Sequence, residues 1–118
     1  FVPSIEVKDD EDEPEENVLN IVRTLSSKYK VLFVTGRDAS ALPKTKEWLD
    51  VYYGQPYEAI WSRPANDFRK DSLIKEEIFN NHIKGVYYVE VVFDDRVQVV
   101  KQWRSMGLKC LQVQEGDF

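Results

Sequence analysis

Cysteine is nearly absent from this chain: Cys110 is the only one in 118 residues. That excludes an internal disulfide framework and fits a reducing compartment, so a cytoplasmic setting is expected. Cys110 lies in an apolar strand pattern and reads as a small core residue, not a nucleophile. Histidine is equally scarce, and the lone His82, near a helix end, reads as a packing or capping group. No apolar run approaches the ~20 residues that span a bilayer, so no membrane partner is expected. The start, Phe1-Val2-Pro3-Ser4, has neither the basic nor the apolar region of a signal peptide. It also lacks an initiator methionine, and the chain is expected to be a processed, trimmed or internal piece of something longer.

The length allows one domain at most, and an apolar fraction of 42% suffices for one core. The net charge is −5, but its distribution is uneven. Residues 9–16 hold seven acids and no base: Asp9, Asp10, Glu11, Asp12, Glu13, Glu15 and Glu16. Without those seven, the 21 carboxylates fall to 14 against 16 bases. The acidity is one local run, read as a solvated helix entrance, and the mildly basic remainder neither demands nor forbids a nucleic-acid ligand.

Along the chain, Asp12-Glu13-Pro14-Glu15 has the composition of a helix start. Val18, Ile21, Val22 and Leu25 continue it, predicting an amphipathic helix over 13–27. The continuous apolar run 31–35 predicts a strand buried on both faces. A second helix is marked by Thr45, Trp48, Leu49 and Tyr52 and ends at Gly54. Residues 57–61 form a short strand, and a polar loop holds 62–70. A third helix carries Leu73, Ile74, Ile78 and His82 and closes near Gly85. A strand over 86–93, a helix marked by Val97, Val100 and Arg104, and a strand over 108–113 complete the order. Alternation of this kind means parallel strands joined by crossover helices. The pattern opens on a helix, so a preceding strand is expected to be missing.

Two strand ends carry chemistry. Thr35-Gly36-Arg37 offers a hydroxyl, a glycine that lets backbone approach closely, and a guanidinium suited to phosphate. Phe93-Asp94-Asp95-Arg96 ends an apolar run in two adjacent carboxylates, which suit Mg²⁺; the alternative is an aspartate capping the helix that follows. In open α/β sheets ligands bind outside the carboxyl ends of the strands. Asp71 and Lys75 lie four apart, on one helix face, where an ordinary surface ion pair is the alternative. Trp48, Trp61 and Trp103 sit in core-like patterns, although Trp61, at a strand end, is also placed to stack a base.

Taken together, these stretches resemble the 3′-phosphatase domain of bacteriophage-type polynucleotide kinase-phosphatases, a branch of the haloacid dehalogenase superfamily. The resemblance runs through Val31–Asp38, Arg69–Phe79, Phe93–Val100, Trp103–Leu108 and Gln112–Phe118, nearly the whole chain. It implies an α/β fold: a Rossmann-like haloacid dehalogenase core, its parallel sheet flanked by helices, with residues 1–118 forming a partial phosphatase domain lacking the first strand. By the same resemblance, Thr35 would bind the transferring phosphate, Lys75 would neutralise its charge and Asp71 would orient Lys75. Gly36, Arg37, Arg63 and Arg96 would contact substrate, and Asp94 and Asp95 would hold Mg²⁺. The implied substrate is a 3′-phosphorylated DNA or RNA end, with an upstream kinase domain or another linked domain as partner. A phage-infected host is one setting.

The sequence departs from that pattern at one point. The family's nucleophile lies in Asp-x-Asp-x-Thr, which occurs nowhere here; the only Asp-x-Asp is Asp10-Glu11-Asp12, with Pro14 where threonine belongs. The expectation is a chain that starts just downstream of the nucleophile and is inactive alone. A small-molecule phosphohydrolase of the same superfamily and a non-catalytic module binding phosphate or nucleic-acid ends remain alternatives.

Overall fold

The computed structural model describes residues 3–6 and 16–114, the former as backbone only. Five parallel strands form one sheet in the order β3-β2-β1-β4-β5: β1 Pro3–Glu6, β2 Leu32–Asp38, β3 Ala59–Arg63, β4 Val91–Asp94 and β5 Cys110–Gln112. Helices α1 Glu16–Leu25, α2 Leu42–Tyr52, α3 Asp71–Ile78 and α4 Val97–Ser105 connect them.

The sheet corrects the expectation of a missing first strand. Pro3–Glu6 fills the centre, Ile5 pairing with Phe33 on one side and Phe93 on the other. The physical reason is hydrogen bonding: β2 and β4 would each carry a buried row of unpaired N–H and C=O groups, and any short extended segment that satisfies both is strongly favoured there. The acidic run, Asp10-Glu11-Asp12 and the start of the expected 13–27 helix lie outside the described residues; α1 is described from Glu16.

Strict alternation along β2 builds the two cores. Val31 and Phe33 face α1 and α2, packing with Val18, Val22, Leu49 and Tyr53. Leu32 and Val34 face α3, packing with Ile74 and Ile78. Val99, Val100 and Trp103 of α4 cover Val92 and Cys110. Three layers result, helices on both faces of a parallel sheet, with β2 and β4 carrying the deeply buried runs and β3 only half-buried.

Several boundaries move. The strand expected over 86–93 forms only from Val91, because Val86 and Tyr88 are exposed and, among the described residues, pairing begins at Pro3 and Cys110. The third helix keeps α-geometry to Ile78 and then widens into a π-turn, Phe79–Ile83. Its buried stripe is Asp71, Ile74, Lys75 and Ile78, and Leu73, expected inside, is 47% exposed. Two charged residues therefore occupy core positions, which needs a reason in chemistry and not in packing. Among the described residues no helix is long and apolar enough to cross a membrane.

Candidate active site

The site begins with an irregularity in β2. Thr35 pairs with Ser62 and Asp38 with Arg63, so β2 advances three residues while β3 advances one. Gly36 and Arg37 are the surplus, released from the ladder at its carboxyl end, where bulges commonly re-aim groups toward a site. Thr35 is fully buried, and its Oγ1 accepts the Arg37 N–H at 3.1 Å. Arg37 turns to α2, its Nη1 donating to Thr45 Oγ1 at 3.2 Å.

Asp71, in the first turn of α3, lies directly against Gly36. A β-carbon at Gly36 would come within 2.8 Å of Asp71 Cγ and closer still to its Oδ1. Three cations from three elements surround this carboxylate: Arg63 Nη2 at 3.6 Å, Lys75 Nζ at 3.5 Å and Arg96 Nη1 at 3.4 Å. Among the described residues, neither of its oxygens accepts a hydrogen bond of good geometry. Asp71 thus acts electrostatically, as the common counter-ion that holds a lysine and two arginines together.

Asp94 is bound differently. Its Oδ1 accepts the N–H groups of Asp95 (2.9 Å) and Arg96 (3.2 Å), and its Oδ2 accepts Lys75 Nζ (3.3 Å) and the Trp103 indole N–H (3.1 Å). The two backbone contacts shape the turn before α4, but Asp94 does not cap that helix, whose N-cap is Arg96 with no side-chain cap hydrogen bond. Lys75, 1% exposed, bridges Asp94 to Asp71. Asp71 and Asp94 both lie within 3.5 Å of the Lys75 ammonium nitrogen, the kind of pairing a buried cation requires. Asp95 is buried beside it, and Gln112 Nε2 donates to its carbonyl at 3.2 Å.

Arg63 ties the two halves together. Its Nε donates to Gly36 O at 2.7 Å, and its Nη1 donates to the carbonyls of Asp67 (3.0 Å) and Arg69. Asp38 fastens the same loop, accepting from Ser40 N and Asn66 N; those bonds, Ser40's first, hold its carboxyl below the ordinary range.

The structure therefore links Gly36, Arg63, Asp71, Lys75, Asp94 and Arg96 in one buried chain of contacts, with Thr35 and Asp95 adjoining its ends. Arg37 engages α2. Sequence reasoning missed Trp103 as the donor to Asp94, Thr45 as the partner of Arg37 and Gln112 beneath Asp95. Their polar atoms sit on otherwise apolar or unremarked positions, and only a tryptophan beside a carboxylate-bearing strand hinted at the first. Trp61 lies parallel to His82, ring centroids 5.6 Å apart, so one of its faces is already covered.

A profile of the polynucleotide kinase PNKP phosphatase domain, of haloacid dehalogenase type, matches residues 6–118. The chain belongs to that family. It is 34% identical over 100 residues to a protein of Autographa californica nuclear polyhedrosis virus named as a bifunctional polynucleotide kinase/RNA ligase, covering 83% of this chain and 14% of the viral protein. Two solved structures of a Pnkp1/Rnl/Hen1 complex, one described as an RNA repair complex, superpose with TM-scores of 0.89 and 0.90 at 31% identity. Each match covers 99% of this chain and 43% or 47% of the solved chain. The chain thus spans under half the length of the relatives it matches.

Phosphatases of this family type generally use Mg²⁺, and the donor set here fits such an ion in part. Mg²⁺ typically takes one or two carboxylates together with substrate phosphate. Asp94 and Asp95 supply the carboxylates, but Asp94 already receives four donors, and among the described residues no group of three acidic, histidine or cysteine side chains forms a cage.

Proposed function

We propose that this chain is the phosphate-binding part of a polynucleotide 3′-phosphatase whose Asp-x-Asp-x-Thr nucleophile strand would take the central place that Pro3–Glu6 fills here. The observation that carries this reading is the buried Asp71–Lys75–Asp94 chain flanked by Arg63 and Arg96 at the carboxyl ends of parallel strands. Three fixed cations there suit a group that gains charge on its oxygens during transfer. Electrostatic stabilisation of this kind is commonly the largest catalytic contribution.

The residues divide the work as follows. Thr35 donates its hydroxyl to a phosphate oxygen. Lys75 neutralises charge on the transferring group, and Asp71 keeps Lys75, Arg63 and Arg96 converged while they are desolvated. Arg63 and Arg96 bind the polynucleotide end. Mg²⁺, held by Asp95 with Asp94, would add charge neutralisation at the phosphate. An aspartate nucleophile splits the transfer into two steps through a covalent phosphoenzyme. The relatives' names carry kinase, ligase and RNA repair roles, which support linked domains and an RNA end as substrate.

A second reading rests on the absence of Asp-x-Asp-x-Thr from the 118 residues: the domain binds a phosphorylated end without hydrolysing it. Release of inorganic phosphate from a 3′-phosphorylated oligonucleotide with Mg²⁺ separates the two. Activity that appears when a fused strand ending in Asp-x-Asp-Gly-Thr replaces Pro3–Glu6 at the centre of the sheet supports the phosphatase. Tight binding with no turnover in the fusion supports the binding module.

A further inference from the structure

Phe68 is the most exposed large hydrophobic residue described, at 92%, and it stands at the tip of the loop joining β3 to α3. The ring is therefore open to a ligand. The loop is also firmly built. The carbonyls on either side of Phe68, those of Asp67 and Arg69, both accept from Arg63 Nη1. Asp67 Oδ1 accepts the Arg69 N–H at 3.1 Å, and the Arg69 guanidinium is held by Asp67 and Glu77. Asn66 adopts a left-handed backbone, φ 59°, with its N–H on Asp38 Oδ1 at 3.0 Å. A ring on a braced loop loses little freedom when it binds.

The bracing connects to the phosphate site. The same Arg63 that clamps the backbone around Phe68 reaches Gly36 O and Asp71. Phe68 is thus fixed to the rim of the cation cluster by one side chain. Lys70, exposed and two residues on, adds positive charge to the same loop.

We propose that Phe68 is a stacking platform for the base next to the terminal phosphate of a polynucleotide, and so selects a polynucleotide end over a simple phosphate ester. The proposal rests on the polynucleotide-phosphatase reading of the site. Every base offers a π-face, so a lone aromatic ring gives affinity without sequence preference. The ring is free of packing duties, and replacing it leaves the fold intact.

The test uses the 118-residue chain and a short 3′-phosphorylated oligonucleotide with 2-aminopurine as its terminal base. Stacking on Phe68 quenches the 2-aminopurine fluorescence on binding. Phe68→Leu should abolish the quench and weaken binding about ten-fold, while Phe68→Trp should keep both. An oligonucleotide with an abasic terminal sugar should bind the wild type and Phe68→Leu equally. No quench in the wild type, unchanged affinity of Phe68→Leu, or an equal loss on the abasic ligand would overturn the proposal. The phosphatase reading fails separately, if the wild type binds 3′-phosphate and 3′-hydroxyl ends alike.

Discussion

Asp71 occupies the space that a side chain on Gly36 would need: a β-carbon there would lie 2.8 Å from Asp71 Cγ. The glycine of the Thr-Gly-Arg turn is therefore required by volume. Its backbone lies outside the positive-φ region that only glycine tolerates well, and the aspartate that gathers three cations is what excludes a larger residue.

Gly36→Ala should consequently displace Asp71 and loosen Arg63, Lys75 and Arg96 together. Overpacking of this kind costs about 1–3 kcal/mol. Urea denaturation should show that loss. Asp71→Ala opens the same space, so the double variant should be no less stable than Asp71→Ala alone. Additive losses would show that the two residues do not compete for volume.

Lys75 lies between two buried carboxylates, and Lys75→Met keeps its length while removing its charge. Breaking one member of a buried ion network costs about 3–5 kcal/mol, against at most about 1 kcal/mol for an exposed pair such as Lys30–Glu58. Denaturant midpoints of Lys75→Met and Lys30→Met should differ accordingly. In the nucleophile-fused protein, Lys75→Met should also lower the rate of phosphate release far more than it changes substrate affinity.

Trp103→Phe keeps an aromatic ring under β4 but removes the N–H that Asp94 Oδ2 accepts together with part of the buried indole's volume. The expected cost is about 1–3 kcal/mol for the buried carboxylate oxygen left unpaired, with a cavity cost added. A wild-type midpoint in Trp103→Phe would show that neither the hydrogen bond nor the packing of the indole supports the fold.

Burial first, and the neighbouring Asp94 second, push the Cys110 thiol up to about 11 from an ordinary value of 9.0. The folded protein thus keeps a proton that the unfolded chain releases. Stability linked to this group is fully present below pH 9 and is lost as pH rises toward 11. Cys110→Ala should flatten that part of the stability profile, and wild-type Cys110 should react slowly with iodoacetamide at pH 8 until denaturant is added.

Much of this was legible in the sequence for physical reasons. Strands buried on both faces leave continuous apolar runs, so β2 and its terminal Thr35-Gly36-Arg37 were visible at once. The Asp-Asp pair was visible because two adjacent acids after such a run are costly. Asp71 and Lys75 were located but not their burial, since a charged pair four apart on a helix is ordinarily solvated. Their depth is set by Arg63 and Arg96, which arrive from other elements. The start of β4 was misplaced because Val86 to Glu90 has strand composition without a strand to pair with. The central strand was missed because four residues, Pro3 to Glu6, carry too little pattern, and their placement is decided by neighbours far along the chain. Phe68 gave no signal, because exposure of a loop aromatic depends on how Arg63 folds the loop.

Mg²⁺ affinity should depend on phosphate. Asp94 has both oxygens engaged by Lys75, Trp103 and two backbone N–H groups, and Lys75 brings a positive charge within 3.3 Å of it. A divalent ion approaching the pair meets that charge and, among the described residues, must recruit Asp95 with no third acidic, histidine or cysteine ligand grouped beside it. Bound phosphate changes the balance by supplying anionic oxygens opposite the carboxylate and by drawing Lys75 and the arginines toward itself. Calorimetric titration of the chain with Mg²⁺ alone should give little heat, and the same titration with phosphate or vanadate present should give measurable binding. Asp95→Asn should remove the phosphate-dependent part. Tight stoichiometric binding of Mg²⁺ without any anion would show that Asp94 can leave Lys75 and that the carboxylates form a preformed metal site.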